Sequence, residues 1–157
     1  MMDALRRHLV TVLEGKGAHA GFDDSFTDVP ANLRGTRPKG ADHSLWDLLE
    51  HMRIAQWDIL DYMRNPKYVA PKWPEGYWPK TAAPANEQEW EKSIESFRRD
   101  LRDVIAIVED ESNDLTAPLK YGDPKHTILR EALLIADHNS YHLGQFVLVR
   151  KLLHSWA

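Results

Sequence analysis

The chain has 157 residues, 43% hydrophobic and 28% charged, the balance of an ordinary globular domain rather than a disordered or collagenous chain. Twenty Lys+Arg against twenty-four Asp+Glu give a formal charge of −4, and no basic block exceeds two residues, so no nucleic-acid footprint is written here. Cysteine is absent, which excludes disulfide scaffolds, Cys-ligated zinc, iron–sulfur clusters and thiol catalysis by the protein itself.

The first helical segment is expected from about Asp3 to Glu14, with Leu5, Leu9, Val12 and Leu13 on one side. Gly15 and Gly17 end it, as C-terminal glycines do. Its longest apolar run, Leu9 to Leu13, is broken by Thr11 and is too short for a signal-peptide core. No stretch approaches the ~20 apolar residues of a membrane span. A cytoplasmic protein without a membrane partner is the expectation.

The second segment opens at Ser44, with Asp47 three residues on as a variant of the capping box. Leu48, Met52, Ala55, Ile59 and Met63 repeat at three and four until Asn65-Pro66 stops the helix near Arg64. The third opens at Asn86 with Glu89 in the matching position. From there Trp90, Ile94, Phe97, Leu101, Val104, Ile105 and Val108 hold one stripe for five turns.

The fourth segment begins near Thr127, after Gly122-Asp123-Pro124, and reaches about Leu153. Leu133, Leu134, Ile135, Ala136, Leu143, Phe146, Val147, Leu148, Val149, Leu152 and Leu153 make it apolar around most of its circumference. Such a helix is buried on several sides, either central in a bundle or shared with a partner subunit. With β signals nearly absent, the pattern predicts an all-α fold. Specifically, it predicts a four-helix bundle in a single domain spanning 1–157, with a short extra turn near Pro30 to Leu33.

Two connections are long for a bundle. Lys16 to His43 is one; the other, Pro66 to Ala85, sets Trp73, Tyr77 and Trp78 among Pro71, Pro74 and Pro79. The second reads as an ordered cap whose aromatics plug the end of the bundle, with a substrate-contacting lid as the competing reading.

Eight His in this length is a high share. His138 and His142 are four apart, so on a helix both imidazoles leave the same side and can reach one metal ion at roughly 2.0–2.1 Å each. Alone the pair is weak, since this many His would produce about 0.4 such pairs by accident. The face they occupy adds weight: Leu134, Ile135, Val149 and Leu152 lie on the same side, and an unpaired polar ring in an apolar surround costs free energy. His51 shows the same conflict, one turn from Leu48 and Ala55 and beside Met52. Three inward His on two helices suit a metal site in a bundle core; taken singly, each also reads as a core His hydrogen-bonded to a carbonyl or carboxylate. His8, His19, His126 and His154 fall near termini, caps or loops, and His43, just before the Ser44 cap, is the one to watch.

A zincin carries Glu directly after the first His of such a pair, and here Asn139 stands there. Asp47 and Asp58 fall near His51 but read as cap and solvent-face residues. Asp137 points about 100° from His138 and suits a supporting hydrogen bond rather than ligation. Gln145 shares the face of His138 and His142 and suits either a bound water or a polar core contact. No P-loop, G-x-S-x-G or G-x-G-x-x-G is present.

Asp137-His138-Asn139-Ser140-Tyr141-His142-Leu143-Gly144-Gln145 resembles the last-helix signature of the DinB-like (YfiT-like) superfamily. Ser44-Leu45-Trp46-Asp47-Leu48-Leu49-Glu50-His51 resembles its second-helix counterpart. The resemblance covers essentially the whole chain in helix order. It implies an up-down-down-up four-helix bundle, often dimeric, with His51, His138 and His142 binding a divalent metal. Nickel or zinc is implied first, with iron or manganese also compatible. Relatives include thiol-dependent S-transferases and a mycothiol-dependent isomerase, and many members are called metal-dependent hydrolases. The Pro66 to Ala85 connection departs from the common pattern in being longer and more aromatic.

The functional expectation is therefore a metal-dependent enzyme. It would activate a low-molecular-weight thiol or water against a small-molecule substrate, as a homodimer with no nucleic-acid or membrane partner. No catalytic residue is assigned. The alternatives are a non-catalytic metal- or ligand-binding stress protein, and a fourth helix whose His serve mainly a dimer interface.

Overall fold

In a computed structural model, which describes residues 2–156, the long helices start where short polar side chains take the first free backbone N–H groups. Met1 and Ala157, the two ends of the expected domain, lie outside the described residues. Ser44 Oγ accepts from Asp47 N at 3.1 Å while Asp47 Oδ2 accepts from Ser44 N at 2.8 Å, a closed capping box. Asn86 Oδ1 accepts from Glu89 N at 2.9 Å, and Thr127 Oγ1 from Arg130 N at 3.1 Å. Losing one such cap costs roughly 1 kcal/mol.

The described chain is all-helical: α1 Met2–Leu13, α2 Phe22–Phe26, α3 Leu45–Arg64, α4 Glu87–Glu109 and α5 Ile128–Leu152. Two 3-10 turns add to them, Ala31–Leu33 where the extra turn is expected and Glu75–Tyr77 in the aromatic connection. Helix α3 lies against α4 and α5, α1 lies against the same two, and α4 touches α5. Two buried clusters fill the space between them. One gathers Phe26, Trp46, Trp90, Phe97 and Phe146; the other gathers Leu9, Leu60, Val104, Leu115 and Ile135. Each large side chain so buried contributes about 1.5–3 kcal/mol. On α5, His138 and His142 fall between Ala136 of the second cluster and Leu143 of the first; on α3, His51 stands among Leu48, Leu49 and Met52 of the first, and the three meet at the seam of the two helices.

The structure departs from expectation in two places. Among the described residues a fifth, short helix joins the four expected long ones: α2 forms inside the Lys16–His43 connection, where five residues are too few to show a period. It seats Phe26 in the core and stacks Phe22 on Phe97, ring centroids 3.9 Å apart. The second departure is in α5, which is not buried on several sides within one chain. Leu133, Leu134, Leu148 and Leu152 are exposed, since its neighbours cover only one face, and Val12 of α1 is exposed likewise. Among the described residues no helix is long and apolar enough to cross a membrane.

Candidate metal centre

His51 enters the seam from α3, and His138 and His142 enter it from successive turns of α5. His51 Nε2 lies 3.1 Å from His142 Nε2 and 3.1 Å from His138 Nε2. One ligand atom from each of the three lies within 4.8 Å of the others. Two imidazole nitrogens bound to one ion at roughly 2.0–2.1 Å are separated by about 2.9–3.4 Å for ligand angles between octahedral and tetrahedral. The observed spacing falls inside that window, so the donor set fits a divalent ion.

The far side of each ring decides what the near side can do. His51 Nδ1–H donates to the Tyr77 carbonyl at 2.8 Å, and His142 Nδ1–H donates to Gln145 Oε1 at 2.7 Å. A neutral imidazole carries one proton, so both Nε2 atoms are left with bare lone pairs. Neither can donate to the other across 3.1 Å; a cation between them would resolve the repulsion. The rings are also held neutral. Burial is the main cause that pulls His138 and His142 down to about 4, with neighbouring imidazoles adding to it, and burial likewise lowers His51. Ligands with no proton to lose bind metal without that competition near neutral pH.

The Pro66–Ala85 connection builds one wall of this site. Trp78 stacks flat on His51, and His43 stacks on the other face of Trp78 at 4.2 Å. The segment is tied down at several points. Tyr68 and Tyr77 both donate to Asp58, each at 2.8 Å, and Trp46 Nε1 donates to Thr81 Oγ1 at 3.1 Å. Its end crosses Gly35 so closely that a Cβ there would come within 2.6 Å of Ala83 Cβ, which only glycine permits. On the α5 side, Tyr141 meets His142 edge-on at 4.9 Å and stays exposed.

Several expectations are corrected at this level. Asp58 is buried, 7% exposed, and takes two phenols instead of facing solvent. Asp47 does cap α3, but it is also buried and accepts from Arg37. Asp137 is exposed, and among the described residues no hydrogen bond joins it to His138. Leu134 and Leu152, expected beside the His, are exposed, while Ile135 and Val149 are buried as expected. Gln145 is a partner of His142. The Tyr77 carbonyl and the Trp78 ring on His51 carry no signal in the α3 sequence, because both arrive from a connection more than twenty residues away.

A family model described as the DinB superfamily matches residues 16–146, most of the chain, and the protein belongs to that superfamily. No curated protein and no solved structure gave a significant match.

Proposed function

We propose that this DinB superfamily protein holds one divalent metal ion on His51, His138 and His142 and is a metal-dependent enzyme acting on small molecules. One observation carries the reading. Two Nε2 lone pairs, fixed by Tyr77 and Gln145 on their far sides, face each other at 3.1 Å in a buried seam.

A bound ion supplies acidity, letting a coordinated water or low-molecular-weight thiol lose its proton near neutral pH. Three neutral imidazoles fill only part of a divalent ion's coordination, which suits thiol S-transfer or hydrolysis. Imidazole donors accommodate nickel or zinc first in this reading, with iron or manganese compatible. The chain's own part is to hold the tautomers of His51 and His142, screen His51 behind the Trp78 ring, and leave His138 the least buried of the three.

Family membership and the pairwise helix contacts support arranging α1, α3, α4 and α5 as an up-down-down-up four-helix bundle in one domain, 1–157. The exposed apolar stripe of α5 supports a homodimer. A small-molecule substrate, a cytoplasmic setting, and no nucleic-acid or membrane partner complete the reading.

A second reading, a non-catalytic ligand-binding protein, has its own observation. A groove of about 640 Å³ lies between the Glu14–Asp24 loop and α4, floored by Phe22, Phe97, Leu101 and Ile105 and not lined by the three His. That volume is in the range of small-molecule sites, about 300–1,000 Å³.

The deciding experiment is elemental analysis of tag-free protein beside His51→Ala, His138→Ala and His142→Ala. Roughly one divalent ion per chain, lost in each variant, is the expected result. Protein that contains no metal and refuses nickel and zinc on titration overturns the metal reading and puts the ligand-binding one ahead.

A further inference from the structure

The groove of about 640 Å³ beside α4 is one of three spaces that meet under the turn from α1 to α2. Phe22, Phe97 and Leu101 also line a neck of about 30 Å³, which runs in against Leu13, Met52 and Leu143. Ser140 and Leu143 are shared in turn by the neck and a cleft of about 280 Å³ on the α5 side, and His19 borders all three. The roof is rich in small residues, Gly15, Gly17, Ala20 and Gly21, which leave this space unfilled.

The walls carry no net charge, because Lys16, Arg98 and Arg102 balance Glu14, Asp23 and Asp24. Each cation is already answered: Lys16 by Glu14 at 2.9 Å, Arg98 by Asp23 at 2.8 Å and Arg102 by Glu95 at 2.8 Å. The floor is apolar. Phe22 is stacked between Phe26 and Phe97, with centroids 4.1 and 3.9 Å away, so both its faces are taken and its edge is what it has left to offer. An aromatic edge is electropositive and attracts the face of another ring.

Two polar groups at the neck are open to a guest. Helical hydroxyls bond back onto their own helix, as Thr11 Oγ1 does to the Arg7 carbonyl at 2.9 Å. Among the described residues the half-buried Ser140 hydroxyl makes no such bond, while its neighbour Asn139 is held by Gln56. His19 Nδ1–H donates to the Ala20 carbonyl at 2.9 Å, so the neutral ring keeps Nε2 as a bare acceptor. One water needs about 10–15 Å³, so a neck of this size admits a hydroxyl or a water or two but not a ring. Size therefore orders a guest, with its ring in the groove and its polar end in the neck.

We propose that this crevice binds an uncharged aromatic molecule bearing one hydrogen-bond donor, its ring over Phe22, Phe97, Leu101 and Ile105 and its donor on Ser140. The proposal rests on the ligand-binding reading of the groove, which it narrows to a chemical class, and it needs no metal.

The test titrates the full chain with β-naphthol and follows the backbone amides by NMR. Signals of residues 15–22 and of Ser140 are expected to move together. Ser140→Val, which removes the hydroxyl, should weaken binding about fivefold, and β-naphthyl methyl ether, which lacks the donor, should bind both proteins equally and as weakly as β-naphthol binds S140V. Ile105→Glu, which puts a charge in the floor, should cost at least about tenfold. Should I105E not fold, S140V carries the test. His138→Ala should bind β-naphthol as the wild type does. Loss of binding in H138A, or shifts centred on His51 and His142, would place the guest in the metal seam and overturn the proposal. Tighter binding of the anion β-naphthoate, or a methyl ether as tight as the naphthol, overturns the stated class and leaves the ligand-binding reading standing. If none of the three probes moves a signal, both fall.

Discussion

Trp78 lies flat on His51, ring centroids 4.0 Å apart and planes within 5°, and His43 covers the opposite face of the same indole. A residue from a proline-rich connection thus becomes one side of a candidate metal ligand. The stack and the Tyr77 carbonyl fix the His51 ring in orientation and tautomer together.

Trp78→Ala removes both stacks. Two aromatic contacts at about 0.5–1.5 kcal/mol each predict a loss of roughly 1–3 kcal/mol, read from the urea midpoint of the apo protein. The same variant should uncover His51, so its modification by diethyl pyrocarbonate should accelerate relative to wild type. Unchanged stability and unchanged His51 labelling would mean that the indole does not cover the ring in solution.

Asp58 anchors the same connection through Tyr68 and Tyr77, and that anchor has a pH signature. Burial and then the hydrogen bond to Asp58 push the Tyr77 phenol up to about 12 and raise Tyr68 as well. The unfolded chain releases these protons near pH 10, the folded chain only at higher pH, so the folded state holds more protons between. Stability is therefore complete below about pH 10 and falls as pH rises from there toward the folded value. Asp58→Asn should flatten this alkaline limb in a series of melting temperatures. A limb of equal slope in D58N would disconnect it from the anchor.

The sequence made the helix starts legible because a cap is local. Ser44, Asn86 and Thr127 each act on an N–H within three residues, so spacing alone identifies them. The His trio was legible for a similar reason, since helical period places His138 and His142 on one side and sets His51 inside an apolar stripe. Helix α2 was not, being shorter than two turns. Nor was the role of Asp58, whose partners lie ten and nineteen residues downstream across a connection with no period. The acceptor of His51 is a backbone carbonyl, which any residue would offer, so nothing in the identity of position 77 announces it.

Gln145 supports His142 as the Tyr77 carbonyl supports His51. Gln145→Leu keeps the size of the side chain but removes the acceptor at 2.7 Å. The freed imidazole can then place its proton on Nε2, where a metal must bind. A loss of about 10–100-fold in zinc affinity is expected, with Gln145→Glu retaining binding because it keeps an acceptor. Competition against a chromogenic chelator reads both. Equal affinity in Q145L and wild type would remove Gln145 from the site.

The exposed side of α5 carries the last prediction. Leu134, Tyr141 and Leu148 recur every seven residues and Leu152 continues the row; Tyr141 is 64% and Leu148 56% exposed. Gly144 lies beside the row with open space where a side chain would stand, so another backbone can approach closely. A stripe of this kind on a helix whose opposite face already builds the core suits a second copy of the chain. Leu148→Glu should place a charge in the proposed interface while touching nothing in the buried clusters. Sedimentation equilibrium should then show the wild type at twice the chain mass and L148E at the chain mass, with unchanged far-ultraviolet circular dichroism. A wild type that sediments as a monomer at every concentration would leave the stripe without this role.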